Sequence, residues 1–99
     1  MEIIEEIKEN SARFFIEEKN ECVAELSCKF RDKTTLLITH TKVNDSLGGK
    51  GIGKQLVSAA VNCARQNGYV VKATCSYSNA VLDKTVEYAD VYVAEKNLR

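Results

Sequence analysis

The 99-residue sequence has no proline, a single histidine and no two cysteines at zinc-ligand spacing. Repeats, low-complexity tracts and linker-like stretches are also missing. Nothing therefore marks an internal boundary, and one domain over residues 1–99 is expected. No run approaches the roughly 18 apolar residues that a membrane span requires. The start, "MEIIEEIKEN", is acidic and lacks the apolar core of a secretion signal, so the expected location is cytoplasmic. The net charge of +0 gives no basic face for duplex nucleic acid, which needs many phosphate contacts. His40 is the only imidazole, and Cys22, Cys28, Cys63 and Cys75 form no C-x-x-C pair, so no zinc site is expected. If Cys22 and Cys28 share a strand, they lie about 20 Å apart, beyond disulfide reach. Four free thiols are expected, three of them packed as small apolar side chains.

What is present reads as an ordinary globular domain, with 44% apolar and 28% charged residues. A chain of this size buries roughly two-thirds of its unfolded surface, enough for one core without metal or disulfide staples. The charges are unevenly spread. Residues 1–25 carry eight Glu against Lys8, Arg13 and Lys19, whereas residues 41–72 carry Lys42, Lys50, Lys54, Arg65 and Lys72 against Asp45 alone. Residues 13–18 and 22–30 read as strands. In the second, Cys22, Ala24, Leu26, Cys28 and Phe30 alternate with Val23, Glu25, Ser27 and Lys29, the mark of a strand buried on one side. "KNE" and "RDK" supply the loops, and residues 34–43, rich in β-branched side chains, complete an antiparallel meander.

From residue 51 to residue 67 the period changes. Ile52, Leu56, Val57, Ala60, Val61 and Ala64 form a helical stripe with Cys63 at its edge, and "NG" at Asn67–Gly68 is a helix stop. Residues 69–74 read as a buried strand ending at Cys75. The intervening helix predicts that it runs parallel to the strand at 34–43. A short second helix is expected over 78–84, and "YADVYVAEKNLR" is ambiguous between strand and helix. The predicted class is α+β: a mostly antiparallel sheet with one parallel joint and a helix packed on it.

The stretch "DSLGGKGIGKQL" places four glycines, Gly48, Gly49, Gly51 and Gly53, within six positions. Glycine is the costliest residue to order, so this backbone must be required. The alternation Gly49, Gly51, Gly53 does not fit the dinucleotide fingerprint. Gly48, Gly53 and Lys54 match part of a P-loop, but Gln55 stands where a magnesium-binding hydroxyl belongs. Two readings stay open. One is a tight turn with water on its amides. The other is an uncapped helix start whose free N–H groups, flanked by Lys50 and Lys54, suit a phosphate or pyrophosphate.

With its flanks, this stretch resembles the acetyl-CoA-binding signature of the GNAT N-acetyltransferase superfamily, [Q/R]-x-x-G-x-[G/A], aligned on residues 48–53. The features "HTKV" (40–43), "GIG" (51–53), "CSY" (75–77) and "VEYADVYV" (86–93) are similar to the short, single-domain YjdJ-like branch, over about residues 13–93. Gly48 departs from the signature's Gln or Arg, Lys42 from a common Glu, and Thr85 and Val86 from a common His-Pro. The resemblance implies a GNAT-like sheet splayed between the strands at 34–43 and 69–74, with a pantetheine arm in the gap. It further implies a diphosphate on the amides of residues 49–53. Val43, Gly48, Gly49, Lys50, Gly51, Ile52, Gly53, Lys54, Ser76 and Asn79 are the implied coenzyme A contacts.

Cys75 closes a buried strand just before a helix start, a position that lowers a thiol's pKa. The alternative is a core cysteine like the others; in the branch that the sequence resembles, this cysteine is the active-site residue. His40 has the pKa range for a general base, or is a satisfied strand histidine. Tyr77 reads better as packing against Val81 than as an acid. The function expected is acetyl transfer from acetyl-CoA to an unidentified amine, with a non-catalytic coenzyme A-binding module or a small interaction domain as alternatives.

Overall fold

Turn chemistry and alternation build the first half of the chain as a meander. The structure, a computed structural model, describes residues 2–45 and 51–93. Its strands are β1 (Ile4–Ile7), β2 (Ser11–Glu18), β3 (Glu21–Asp32), β4 (Thr35–Val43) and β5 (Val70–Ala73); its helices are α1 (Ile52–Asn67) and α2 (Ser76–Lys84). They form one sheet in the order β1-β2-β3-β4-β5. The first four strands pair antiparallel, and β5 joins β4 in parallel, as predicted from the helix between them. The β2–β3 hairpin turns on Lys19 and Asn20, at φ 52° and 65°. Two left-handed residues in succession match the right-handed twist of the flanking strands.

β1 does not appear in the sequence reading. It is an edge strand whose Ile4 and Ile7 remain exposed, so no apolar face marks it. Backbone pairing holds it, in the register Ile4↔Phe15 to Ile7↔Ala12. Arg13 adds ion pairs to Glu6 and Glu25 across three strands and lies over the Phe15 ring.

The alternation expected in β3 holds for Ala24, Leu26 and Cys28, all buried, but fails at its start. Ile16 pairs with Ala24 and Glu17 with Cys22, which leaves Val23 as an extra residue. One extra residue turns the side chains before it to the other face. Val23 is thereby buried, and Cys22 is exposed. The expectation of three packed thiols is corrected to two, Cys28 and Cys63; all four are free.

The stripe of α1 lies against β2, β3, β4 and β5, with Leu56, Val57, Ala60, Val61 and Ala64 fully buried. Opposite them stand Phe14, Ile16, Leu26, Leu36 and Ile38. α1 ends at Gly68 (φ 74°), whose N–H donates to Ala64 O. Of the ambiguous tail, residues 94–99 lie outside the described residues; before them come a 3₁₀ turn, Val86–Tyr88, and an isolated parallel bridge between Tyr92 and Val71 along the outer edge of β5. Arg65 secures this tail through Asp90 and the Glu87 carbonyl. No helix among the described residues is long and apolar enough to cross a membrane.

At Gly68 a side chain is opposed for backbone reasons alone, since φ is +74° and a Cβ there would meet nothing within 4 Å. Gly68→Ala is expected to cost about 1–2 kcal/mol, the penalty of a left-handed residue with a Cβ. A melting point lower by about 4–8 °C per kcal/mol in thermal unfolding would show it. Gly68→Asn should lose less, and an unchanged melting point for the alanine variant would refute the assignment.

Candidate active site

The site begins with a ladder that stops. β4 and β5 pair from Thr35↔Val70 to Ile38↔Ala73, and the Thr74 N–H closes the run on Ile38 O at 3.0 Å. β4 continues to Val43, whereas β5 ends at Ala73. Over residues 39–43 the β5 side of β4 therefore carries no strand partner among the described residues, and the two strands diverge as the resemblance implied.

A second bulge sets what faces this opening. Cys28 pairs with Ile38 and Ser27 with His40, so Thr39 is the extra residue, and its hydroxyl donates to Ser27 O at 3.3 Å. Beyond it, Thr41 and Val43 pair with Leu26 and Ala24 on the core face, while His40 and Lys42 pair with Ser27 and Glu25 on the opposite face. Thr41, not His40, is turned toward the start of α2.

Cys75 is the N-cap residue of α2, in an extended conformation. Its thiol donates to Thr41 Oγ1 at 3.7 Å, and Thr41 Oγ1 lies 3.0 Å from Ser78 Oγ. The Ser78 side chain is fully buried and the thiol partly so. Partial burial pushes the thiol up, but the Ser78 N–H, the Thr41 and Ser78 hydroxyls and the Tyr77 N–H together outweigh it and hold Cys75 below the ordinary thiol range. The Ser78 N–H contributes the largest part of the lowering, and the Thr41 hydroxyl is the side-chain group within hydrogen-bond distance of Sγ. Elsewhere burial wins: it pushes both Cys28 and Cys63 up, with Glu5 adding to the shift at Cys63.

Asn79 supports this corner. Its Nδ2 donates to Ala73 O at 2.9 Å, its Oδ1 accepts from the Tyr92 hydroxyl at 2.7 Å, and its backbone N–H donates to Cys75 O at 3.0 Å. Both ends of the side-chain amide are thus engaged within the chain. Ser76 is exposed on the first turn of α2.

The start of α1 matches the uncapped end expected from sequence. Gly51 is its N-cap at φ 70°, with no side-chain cap bond and no acidic residue in the first turn. A helix end of this kind presents unpaired N–H groups and partial positive charge. Gly51 has open space where a Cβ would stand, and Lys54 is exposed on the same turn. Gly53 has a different reason to be glycine: its Cβ would lie 2.5 Å from the Tyr77 hydroxyl. Tyr77 thus packs on the first turn of α1 and joins the starts of the two helices. Ile52 is buried in the core, and Gly48, Gly49 and Lys50 lie outside the described residues.

Thr41 and Ser78 are the site residues that the sequence did not single out. A signal existed in the "HT" of "HTKV", but only the bulge at Thr39 decides which of the pair faces Cys75. Two other cavities stand apart from this corner. One of about 290 Å³ is lined by residues including Glu21, Cys22 and Lys42, and another of about 420 Å³ by residues including Phe30, Arg31 and Tyr69.

A mixed sheet opened between its parallel strands, with two helix starts at the opening, defines the acyltransferase class of α+β fold. The family described as GCN5-related N-acetyl-transferase matches residues 13–91. The chain belongs to this family, whose enzymes transfer acetyl groups from acetyl-CoA to an acceptor. It is similar to a GCN5-like protein from Staphylococcus aureus solved by NMR, at 38% identity and TM-score 0.74, over 92% of this chain and 88% of that one. An aminoglycoside acetyltransferase from an uncultured soil metagenomic sample shares the fold at 19% identity and TM-score 0.63, over 80% of this chain and 59% of that one. The IAA acetyltransferase of Bacillus cereus shares it at 21% identity and TM-score 0.61, over 76% of this chain and 53% of that one. This chain thus spans little more than half the length of the latter two. A comparison with curated proteins gave no match.

The environments of the four thiols predict an order of reaction. In native protein near neutral pH, iodoacetamide is expected to modify Cys75 first, then the exposed Cys22, and to leave Cys28 and Cys63 untouched until unfolding. Peptide mass spectrometry of a time course reads that order. If Cys22 leads, exposure rather than thiolate fraction governs reactivity.

Proposed function

We propose that this chain binds acetyl-CoA in the opening between β4 and β5 and transfers the acetyl group to an amine by way of Cys75. The observation that carries the reading is the position of the Cys75 thiol. It stands at the head of α2, beside the stretch of β4 that extends past its pairing with β5, and the donors around it favour the thiolate. The fit to coenzyme A rests on the start of α1, where uncapped amides, an open Gly51 and the exposed Lys54 suit a diphosphate. Gly48, Gly49 and Lys50 belong to the same proposed cradle. Val43, half-buried at the free end of β4, would lie alongside the pantetheine, and Ser76 would flank it from α2.

In the first half-reaction, Cys75 Sγ as thiolate attacks the thioester carbonyl carbon. The carbon–sulfur bond to coenzyme A breaks, its thiolate leaves, and Cys75 carries the acetyl group. An unprotonated amine then attacks the acetyl carbon; the carbon–sulfur bond to Cys75 breaks, the amine's proton passes to solvent, and Cys75 returns as thiolate. Thr41 supplies a hydroxyl at Sγ in both steps. His40 is placed on the opposite face of β4, so no proton of the thiol step is assigned to it. As a base it would serve only an acceptor arriving from that face.

Calorimetric titration should show acetyl-CoA binding, and no binding at millimolar ligand would sink the proposal. Intact-protein mass spectrometry after mixing with acetyl-CoA should show one added acetyl group, located on Cys75 and lost in Cys75→Ala. If Cys75→Ala binds acetyl-CoA and transfers acetyl to an amine panel at the wild-type rate, transfer is direct. Binding without transfer to any amine would identify a coenzyme A-binding module.

A further inference from the structure

We infer that Thr41 is a positioning residue for the Cys75 thiol, with Ser78 holding the Thr41 hydroxyl in place. The inference rests on the proposed role of Cys75, but its geometry stands independently of that role. Thr41 Oγ1 is 3.7 Å from Cys75 Sγ and 3.0 Å from Ser78 Oγ, so one hydroxyl bridges β4 and the first turn of α2. The Ser78 side chain is fully buried and would lose this partner if the Thr41 hydroxyl were removed.

The direction of the bridge depends on the protonation state of the thiol. A neutral thiol donates to Thr41 Oγ1, as the contact stands here. A thiolate can only accept, so the Thr41 hydroxyl must turn its proton toward Sγ and accept from Ser78 at its own lone pair. The 3.0 Å pair permits this reversal, because either hydroxyl can be the donor. Ser78 is thus the residue that leaves the Thr41 proton free for sulfur. Valine at 41 keeps the shape and removes both bonds; serine keeps both bonds and removes a methyl group.

The groups that face Cys75 leave this hydroxyl pair as the principal side-chain influence. From α2 come the Ser78 and Tyr77 N–H groups and the Ser78 hydroxyl, and from β4 the Thr41 hydroxyl. His40 and Lys42 on β4 pair with residues of the opposite sheet face, and so does Lys72 on β5, through Leu37 and Lys29. Tyr77 packs on Gly53 at the start of α1. None of the influences named for the thiol is a charged side chain.

The test is the pH profile of Cys75 alkylation by iodoacetamide, followed by peptide mass spectrometry in wild type, Thr41→Val, Thr41→Ser and Ser78→Ala. A hydrogen bond to a charged group predicts that Thr41→Val raises the midpoint by about one pH unit and slows alkylation near neutral pH up to about tenfold. Thr41→Ser should restore the wild-type profile, and Ser78→Ala should fall between the two. Circular dichroism checks that each variant is folded, and the serine variant answers if valine destabilises the chain. A Thr41→Val profile that overlays wild type overturns the inference, as does a Thr41→Ser profile shifted as far as that of valine. The readout is alkylation and not acetyl transfer. Failure of the Cys75 acetyl-enzyme in the mass experiment above would therefore leave this result standing, and the two failures remain distinguishable.

Discussion

The hydrogen bond from the Thr74 N–H to Ile38 O is where the pairing of β5 with β4 stops, and the site depends on that stop. Were β5 to continue, its amides and carbonyls would pair with residues 39–43 and close the opening. Three features oppose that outcome. The Asn79 side chain takes the Ala73 carbonyl, the chain enters α2 at Cys75, and the Thr39 bulge shifts the register of β4. A buried carbonyl at a strand end must find a donor somewhere. Here the donor comes from the helix that follows, so ending the strand and starting α2 are one event. Tyr92 completes the arrangement by bonding Asn79 from the tail, itself bridged to Val71 on the outer edge of β5.

The parts of the fold with one buried face were legible in the sequence. The α1 stripe, the Gly68 stop, the β-branched run of β4 and the parallel joint all follow from periodicity and connection length. β1 was not legible, because an edge strand with Ile4 and Ile7 exposed, held by backbone pairing, leaves no apolar pattern. Nor were the bulges. Val23 and Thr39 each add one residue, and each addition changes which side chains beyond it face the core. That single-residue effect exposes Cys22 instead of burying it, and it places Thr41 rather than His40 beside Cys75. Of the glycine run, Gly51 stands as the N-cap of α1, while Gly53 owes its identity to the Tyr77 ring, a contact between residues 24 positions apart that no local pattern contains.

Charge segregation sharpens the chemistry of the opening. The chain is neutral as a whole, yet neither helix has an acidic residue in its first turn. Glu25 of β3 pairs with Lys42 of β4 on the face opposite Thr41, and Glu6 and Glu25 are both bound by Arg13. Carboxylates at either helix start would cap amides and repel an anion. Their absence leaves two partial positive ends, joined through Tyr77 and Gly53, with no fixed negative charge on either first turn. At α2 the same donors favour the charged form of the Cys75 thiol. Burial alone would have raised Cys75, as it does Cys28 and Cys63. What separates Cys75 from those two is a set of donors that outweighs burial, where the Asn67 amide at Cys63 does not, and Thr41 reaches Cys75 beyond the point where the β4–β5 ladder ends.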